Sequence, residues 1–364
     1  MKLSDFRFKK IDWYIIRQFL GTFVFIISLM IAITVVFDIN EKLDHFMKPE
    51  VTVSEIIFDY YLNFILYFIN LFSPLFTFIT VILFTSKLAD RSEIIAMLAS
   101  GLSFNRLVIP YLFSALIIAS VSFILISYII PPANITRIEF QNTYIKNKKV
   151  EYARNIQLEV EPGVFAYFDS YNAPSSMGYR FSLDHFEDKK LVSRLTANSI
   201  KYDSLYHWTI IDYMIRDFDG MYEHISNGTR KDTILAFRPS DFLISVNDCE
   251  TMTTSELRDH ITRQRKRGLA NIQLFEIEYY TRFANIASFF ILTIIGISLS
   301  SRKIKGGMGM NIGIGMGLSF SYILFSKITS TFAISGLVSP MVAVWIPNIL
   351  YFFITIYVFR KAPR

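Results

Sequence analysis

The chain has 364 residues, of which 52% are hydrophobic and 19% charged, with 35 Phe and a formal net charge of +6. A soluble protein of this length carries more charge, and here the apolar residues gather in blocks, as membrane spans do. The basic residues sit mainly at the block ends, so the net charge does not point to nucleic acid, and the single Cys249 excludes an intrachain disulfide.

A span needs roughly 20 apolar residues. Six stretches qualify: about 13–37, 55–86, 107–130, 279–299, 308–332 and 340–359. The first follows MKLSDFRFKKID, is too long for a signal-peptide core and lacks a small-residue cleavage site, so it is read as a retained helix. Asp38, Glu41, Lys42, His45 and Lys48 cluster just beyond it. A solvated loop is the plain reading, and contact with a charged substrate the functional one. The second span contains Pro74, which predicts a kink or tilt.

Between the second and third spans stands RSEIIAMLASG. Asp90 or Ser92 can cap a helix there and Gly101 can end it. Helical spacing puts Ile94, Met97 and Leu98 on one face, and Glu93, Ala96 and Ser100 on a small face around a single acid. A loop helix on the membrane surface and a docking helix fit this spacing equally well. Arg137, just after the third span, carries the same two readings as the charged cluster after the first.

Lys and Arg in the short loops set the orientation. Lys2, Arg7, Lys9, Lys10 and Arg17, then Lys87, Arg91 and Arg106, then Arg302, Lys303 and Lys305, and finally Arg360, Lys361 and Arg364 fall on one side. Only Lys42 and Lys48 occupy the opposite short loops. Both termini and the Glu93 segment are therefore expected in the cytoplasm, with residues 131–275 outside.

That insert alternates like strands. In NIQLEV, Ile156, Leu158 and Val160 share one face; EPG turns, VFAYF resumes, and HWTIIDYMIRDF is rich in β-branched and aromatic residues. Asn227-Gly228 reads as a hairpin turn. A sandwich or an open, folded-over sheet is expected. TTSELRDHITRQRKRG then reads as a helix, with a capping box from Thr253 to Glu256 and a stop at Gly268. Its run Arg258, Arg263, Arg265, Lys266 and Arg267 reads as a solvated face rather than a binding patch.

In the fifth span Gly309, Gly313 and Gly317 recur every fourth residue, a flat face suited to close helix contact. Packing within the chain is the plain reading and a moving gate the functional one. Lys327, near the outer end of this span, snorkels by default and alternatively meets an anionic headgroup. No nucleotide loop, H-E-x-x-H or G-x-S-x-G occurs, and the five His lack metal-ligand spacing. A catalytic residue or a metal site is thus not expected.

The layout resembles the lipopolysaccharide export permease family, LptF/LptG, over nearly the whole chain. The resemblance rests on three spans, an external β-domain and three more spans, on EIIAMLASGLSFNRL, TTSELRDHI and SSRKIKGGMGMNIGIGMG. The chain departs from the family pattern at Asn285, where a proline is common.

The resemblance implies a membrane α-helical fold with six transmembrane helices and an inserted periplasmic all-β, jelly-roll-like domain. Residues 1–130 would hold helices 1–3 with the coupling helix at about 90–101, residues 131–275 the periplasmic domain, and residues 276–364 helices 4–6. It implies an inner-membrane permease subunit that extracts lipopolysaccharide. Its partners would be a paralogous permease, a cytoplasmic ABC ATPase dimer, and periplasmic bridge and inner-membrane anchor proteins with similar β-domains. ATP and Mg would bind the ATPase, with no cofactor in this chain. Glu93, Ile94, Met97 and Leu98 would couple to the ATPase. Gly309, Gly313 and Gly317 would line a gate, and Lys42, Lys48, Arg137 and Lys327 would be headgroup ligands. A mechanotransmission-type ABC permease fits six spans less well, and a membrane-anchored periplasmic binding scaffold would not need the cytoplasmic helix.

Overall fold

A computed structural model describes residues 9–145, 152–220, 222–239, 242, 246–266, 272–301 and 307–362. Among the described residues six helices are long and apolar enough to cross a membrane, three before and three after a six-stranded antiparallel sheet. The helices are α1 (Lys10–Phe46), α2 (Val53–Asp90), the short α3 (Glu93–Ala99), α4 (Phe104–Ile145), α5 (Thr254–Lys266), α6 (Ile272–Ser300), α7 (Gly307–Ile334) and α8 (Pro340–Arg360). The chain divides into two compact units: a helical one, which includes the strap Glu250–Thr254, and one formed by 146–249 and 255–275.

The first three spans outrun their apolar cores at one or both ends. Polar residues such as Asp38 and Lys42 continue the α1 helix instead of forming the loop that hydropathy alone predicts. In α2 and α4 the extension passes through π-helical turns at Ile56–Tyr61, Leu125–Ile129 and Gln141–Ile145.

Pro74 does not end α2. Around it, polar side chains find their partners inside the bundle, as they must in hydrocarbon. Thr77 Oγ1 donates to Ser73 O at 2.8 Å and Thr80 Oγ1 to Phe76 O at 2.6 Å, while Ser122 Oγ donates to Asn70 Oδ1 at 2.6 Å. Asn348 pins the last three spans together. Its Nδ2 donates to Ala284 O on α6 at 2.9 Å, and its Oδ1 accepts from Tyr322 OH on α7 at 2.9 Å. Helix α6 runs unbroken through Asn285.

The strands are β1 (Tyr152–Glu161), β2 (Val164–Asn172), β3 (Met177–Glu187), β4 (Lys190–Ser204), β5 (His207–Asp219) and β6 (Tyr222–Ile234), paired in chain order. They form an open sheet whose core is Phe168, Phe181, Trp208, Phe237 and Phe242. A seam crosses it. Inward residues step by three there, Phe168 to Tyr171, Gly178 to Phe181 and Ala197 to Ile200, and the ladders skip Asp169, Arg180, Asn198, Asp212 and Thr229. Arg180 and Asp212 both take φ of 51°. The pairing register is the same on both sides of this line, and the inward-facing side of the strands changes phase across it.

Asn227-Gly228 is not the hairpin turn that the dipeptide predicts. It lies inside β6, and the β5–β6 turn falls at Gly220, whose φ is 65°. Gly228 is needed for another reason: a Cβ there would stand 2.5 Å from Tyr213 OH. Helix α5 begins at Thr254, directly after Thr253; the expected stop at Gly268 lies outside the described residues.

Candidate functional site

Helix α3 sits in the largest apolar core of the helical unit. Ile94 is fully buried there, together with Ile15 and Phe19 of α1, Leu88 of α2, and Phe104 and Leu107 of α4. Met97 and Leu98 pack against the same core. Ile94 therefore faces the bundle and is not part of an outward surface, as the coupling role expected of it would need, while Met97 and Leu98 are half-buried against the same core. The outward face is Ile95, 56% exposed, with Ala96, Ala99 and Ser100.

The start of α3 differs from the expected cap. Asp90 belongs to α2, and Ser92 holds φ of 60° with no side-chain cap bond. The chain must reverse within Arg91–Ser92, and a left-handed residue does this at a cost of roughly 1–2 kcal/mol. Gly101, at φ of 89°, ends the helix as expected: its N–H donates to Leu98 O at 3.0 Å, and the Leu102 N–H to Met97 O at 3.3 Å.

Glu93 is held within the chain. Its carboxylate accepts from Tyr14 OH at 3.1 Å and lies 3.9 Å from the Arg91 guanidinium. Nearby, Arg106 at the start of α4 donates to the buried Asp12 of α1, which also accepts from Lys9 N at 2.7 Å. The first turns of α1, α3 and α4 are thus tied by charge as well as by apolar packing. Tyr14, Asp12 and Arg106 were not expected at this site. Each partner is 79 to 94 residues distant, and only the alternation of apolar and polar positions in KKIDWYIIRQF hints that Asp12 turns inward.

Gly309, Gly313 and Gly317 form an open face: a Cβ at any of them would meet nothing within 4 Å. Among the described residues, then, nothing packs closely on them, which is not the close contact that the plain reading expects. Gly315, on the other side of α7, makes the close contact, because a Cβ there would fall 2.0 Å from Ile82 Cδ1 on α2.

Three of the four expected headgroup ligands are already engaged. Lys42 donates to Asp38 and to Tyr60 OH, while Tyr60 and Tyr61 donate to Asp38 at 3.0 and 3.2 Å. Lys48 donates to Tyr144 O at 2.8 Å. Arg137 is buried against Glu250 at 3.3 Å and Asn134 Oδ1 at 3.0 Å, and lies over the Tyr67 ring at 4.3 Å. Lys327 is exposed and forms no ion pair among the described residues, although its charge is felt at Glu250. Glu250 sits above the usual carboxylate range because burial, and then the like charge of Glu278, disfavour its ionised form; Tyr67, Arg137 and Lys327 partly offset this.

Among the described residues no group of His, Cys, Asp and Glu is arranged to hold a metal ion. No curated protein matches the chain. The family model described as lipopolysaccharide export system permease LptF/LptG matches residues 13–361. With six spans, a sheet inserted between the third and fourth, and a family match over nearly its whole length, the chain belongs to the LptF/LptG family, the permease of the lipopolysaccharide export ABC transporter.

Proposed function

We propose that this permease subunit extracts lipopolysaccharide from the outer leaflet of the inner membrane and passes it to a periplasmic bridge. A paralogous permease pairs with it, and a cytoplasmic ATPase dimer that binds ATP and Mg drives it. The chain itself binds no cofactor and catalyses nothing. Both termini are cytoplasmic and residues 131–275 periplasmic, which divides the chain functionally into 1–130, 131–275 and 276–364. The inner-membrane anchor and bridge proteins stack similar β-domains on the external sheet.

The observation that carries this reading is the seating of α3. A helix anchored by Ile94 in a core shared with α1, α2 and α4 transmits a push to three elements at once. Its exposed side is small except for Ile95, so another protein can approach closely. Ile94, Met97 and Leu98 act as the seat, and Glu93 and the outward face as the contact. Gly309, Gly313 and Gly317 form the gate face on α7. Lys327 is the first headgroup contact, while Lys42, Lys48 and Arg137 reach a headgroup only by exchanging their present partners.

The test is co-purification with the ATPase in mild detergent. Ile95→Asp puts a charge in the docking face and should lower recovery of the ATPase at least tenfold, with insertion unchanged. Glu93→Lys should do the same by repulsion. Normal recovery with both variants would refute docking through α3.

A further inference from the structure

Between the first turns of α1 and the last turns of α2 lies a groove of about 570 Å³, within the roughly 300–1,000 Å³ of ordinary ligand clefts. Phe25, Ile26 and Leu83 give it apolar walls, and Lys87 and Arg91 stand at one end of it. From Leu83 to Arg91 is eight residues of helix, about 12 Å along the axis. The groove therefore reaches from the membrane interface well into the apolar layer.

Lys87 in the last turn of α2 and Arg91, the residue that caps its end, are four residues apart and line the same groove. Lys87 is exposed and has no side-chain partner among the described residues. Arg91 is 61% exposed, and its contact with Glu93, at 3.9 Å, is at the limit of an ion pair. Gly21 lines the groove, and a Cβ there would meet nothing within 4 Å, so this stretch of wall is open.

We infer that this groove binds a glycerophospholipid with an anionic headgroup. The phosphate lies between Lys87 and Arg91, and one acyl chain runs past Phe25 and Leu83. Charge complementarity selects this occupant: a neutral lipid or an apolar helix offers nothing to the two cations at the end of a hydrophobic slot. Arg91 also reaches Glu93 at the start of α3, so the phosphate and Glu93 share one guanidinium. Occupancy of the groove then bears on the first turn of the coupling helix. That last step rests on the docking role proposed above; the lipid site does not.

The test uses the full-length chain in non-ionic detergent, titrated with phosphatidylglycerol or phosphatidylcholine, with bound lipid counted by native mass spectrometry. Phosphatidylglycerol should bind roughly tenfold tighter. Lys87→Gln with Arg91→Gln should bring the two lipids within about twofold, and Lys87→Arg should keep the preference. Gly21→Phe should block both lipids by filling the groove. Arg360→Gln with Lys361→Gln removes two cations from the same end of the unit, where Ala362 shares a core with Ile15 and Ile94, and should change nothing. An unchanged preference in the Lys87/Arg91 pair, or an equal loss in the Arg360/Lys361 control, would overturn the site. So would unchanged lipid binding in Gly21→Phe with loss of pairing to a second permease chain, which would assign the groove to a helix. No ATPase is present, so failure here is distinct from failure of docking at Ile95.

Discussion

Helices α6 and α7 follow one another in the chain, are 29 and 28 residues long, and both place glycine inside an apolar run. Over its most apolar stretch α6 is 61% buried and α7 only 17%. On α6, Gly296 lies against α2, where a Cβ would stand 2.7 Å from Val81 Cγ1. On α7 Gly315 makes such a contact, whereas Gly309, Gly313 and Gly317 do not. Their cations differ in the same sense. Arg282 on α6 is satisfied by Glu278 Oε1, Thr254 Oγ1 and Met252 O, all within 3.1 Å, whereas Lys327 on α7 is exposed. Hydropathy gives two interchangeable spans; the phase of the small residues and cations decides which one is a wall and which offers a face. In lipid an open apolar face carries no hydrophobic cost, so an open α7 is stable without a partner and free to gain one.

Helix α1 resembles α7 in being only 17% buried over its most apolar stretch. A helix held by few contacts depends more on each of them, and the Asp12–Arg106 pair is the strongest polar one at its start. Asp12→Ala leaves the Arg106 charge largely buried without this partner, and should cost about 3 kcal/mol in a denaturant melt of the full chain in detergent. Replacing Arg106 with Leu as well should return most of that loss. A single variant that melts like the parent would show that α1 is fixed elsewhere.

The glycines test the comparison directly. Gly296→Val forces Val81 and Phe78 aside and should cost about 1–3 kcal/mol. Gly313→Val enters open space, should change stability by less than about 0.5 kcal/mol, and should instead weaken recovery of the paralogous permease. Equal destabilisation by both would mean that α7 is packed as tightly as α6.

The spans were legible because apolar blocks of roughly 20 residues suit little besides a bilayer. Their ends were not, since Asp38 and Lys42 continue α1 by pairing with each other and with Tyr60 from the next helix. The strands were legible from alternation and turn signals, but Asn227-Gly228 misled: its glycine answers a ring from the neighbouring strand, which no local signal carries. At the site, spacing grouped Ile94 with Met97 and Leu98 but gave no place to the exposed Ile95, and could not say which face the bundle would take. Burial of Ile94 depends on α1, α2 and α4 together. Likewise Gly309, Gly313 and Gly317 announced a helix-contact face, while its exposure is a property of where α2 and α8 lie.

The strap Glu250–Thr254 gives the smallest and most specific test, because both compared helices act on it. Arg282 of α6 holds Met252 O and Thr254, and Lys327 of α7 acts on Glu250 only through its field. Tyr67 from α2, Arg137 from α4 and Glu278 from α6 face the same carboxylate. With its pKa raised, Glu250 keeps its proton in the folded chain at a pH where the unfolded chain has lost it. The folded state then binds more protons, so this group lowers stability as pH rises from the ordinary carboxylate range, near 4, through the raised folded value. Gln does not titrate. The melting temperature of Glu250→Gln minus that of the parent should therefore climb across this window and level off above it, whatever its offset from the lost Arg137 pair. Removing Lys327 withdraws a charge that favours the carboxylate, so Lys327→Ala should move the window upward in the parent and have no effect on the pH profile once Glu250 is Gln. Parallel profiles for Glu250→Gln and the parent would show that the strap is wet and the carboxylate ordinary. An unmoved window in Lys327→Ala would show that α7 stands too far from the strap to act on it at all.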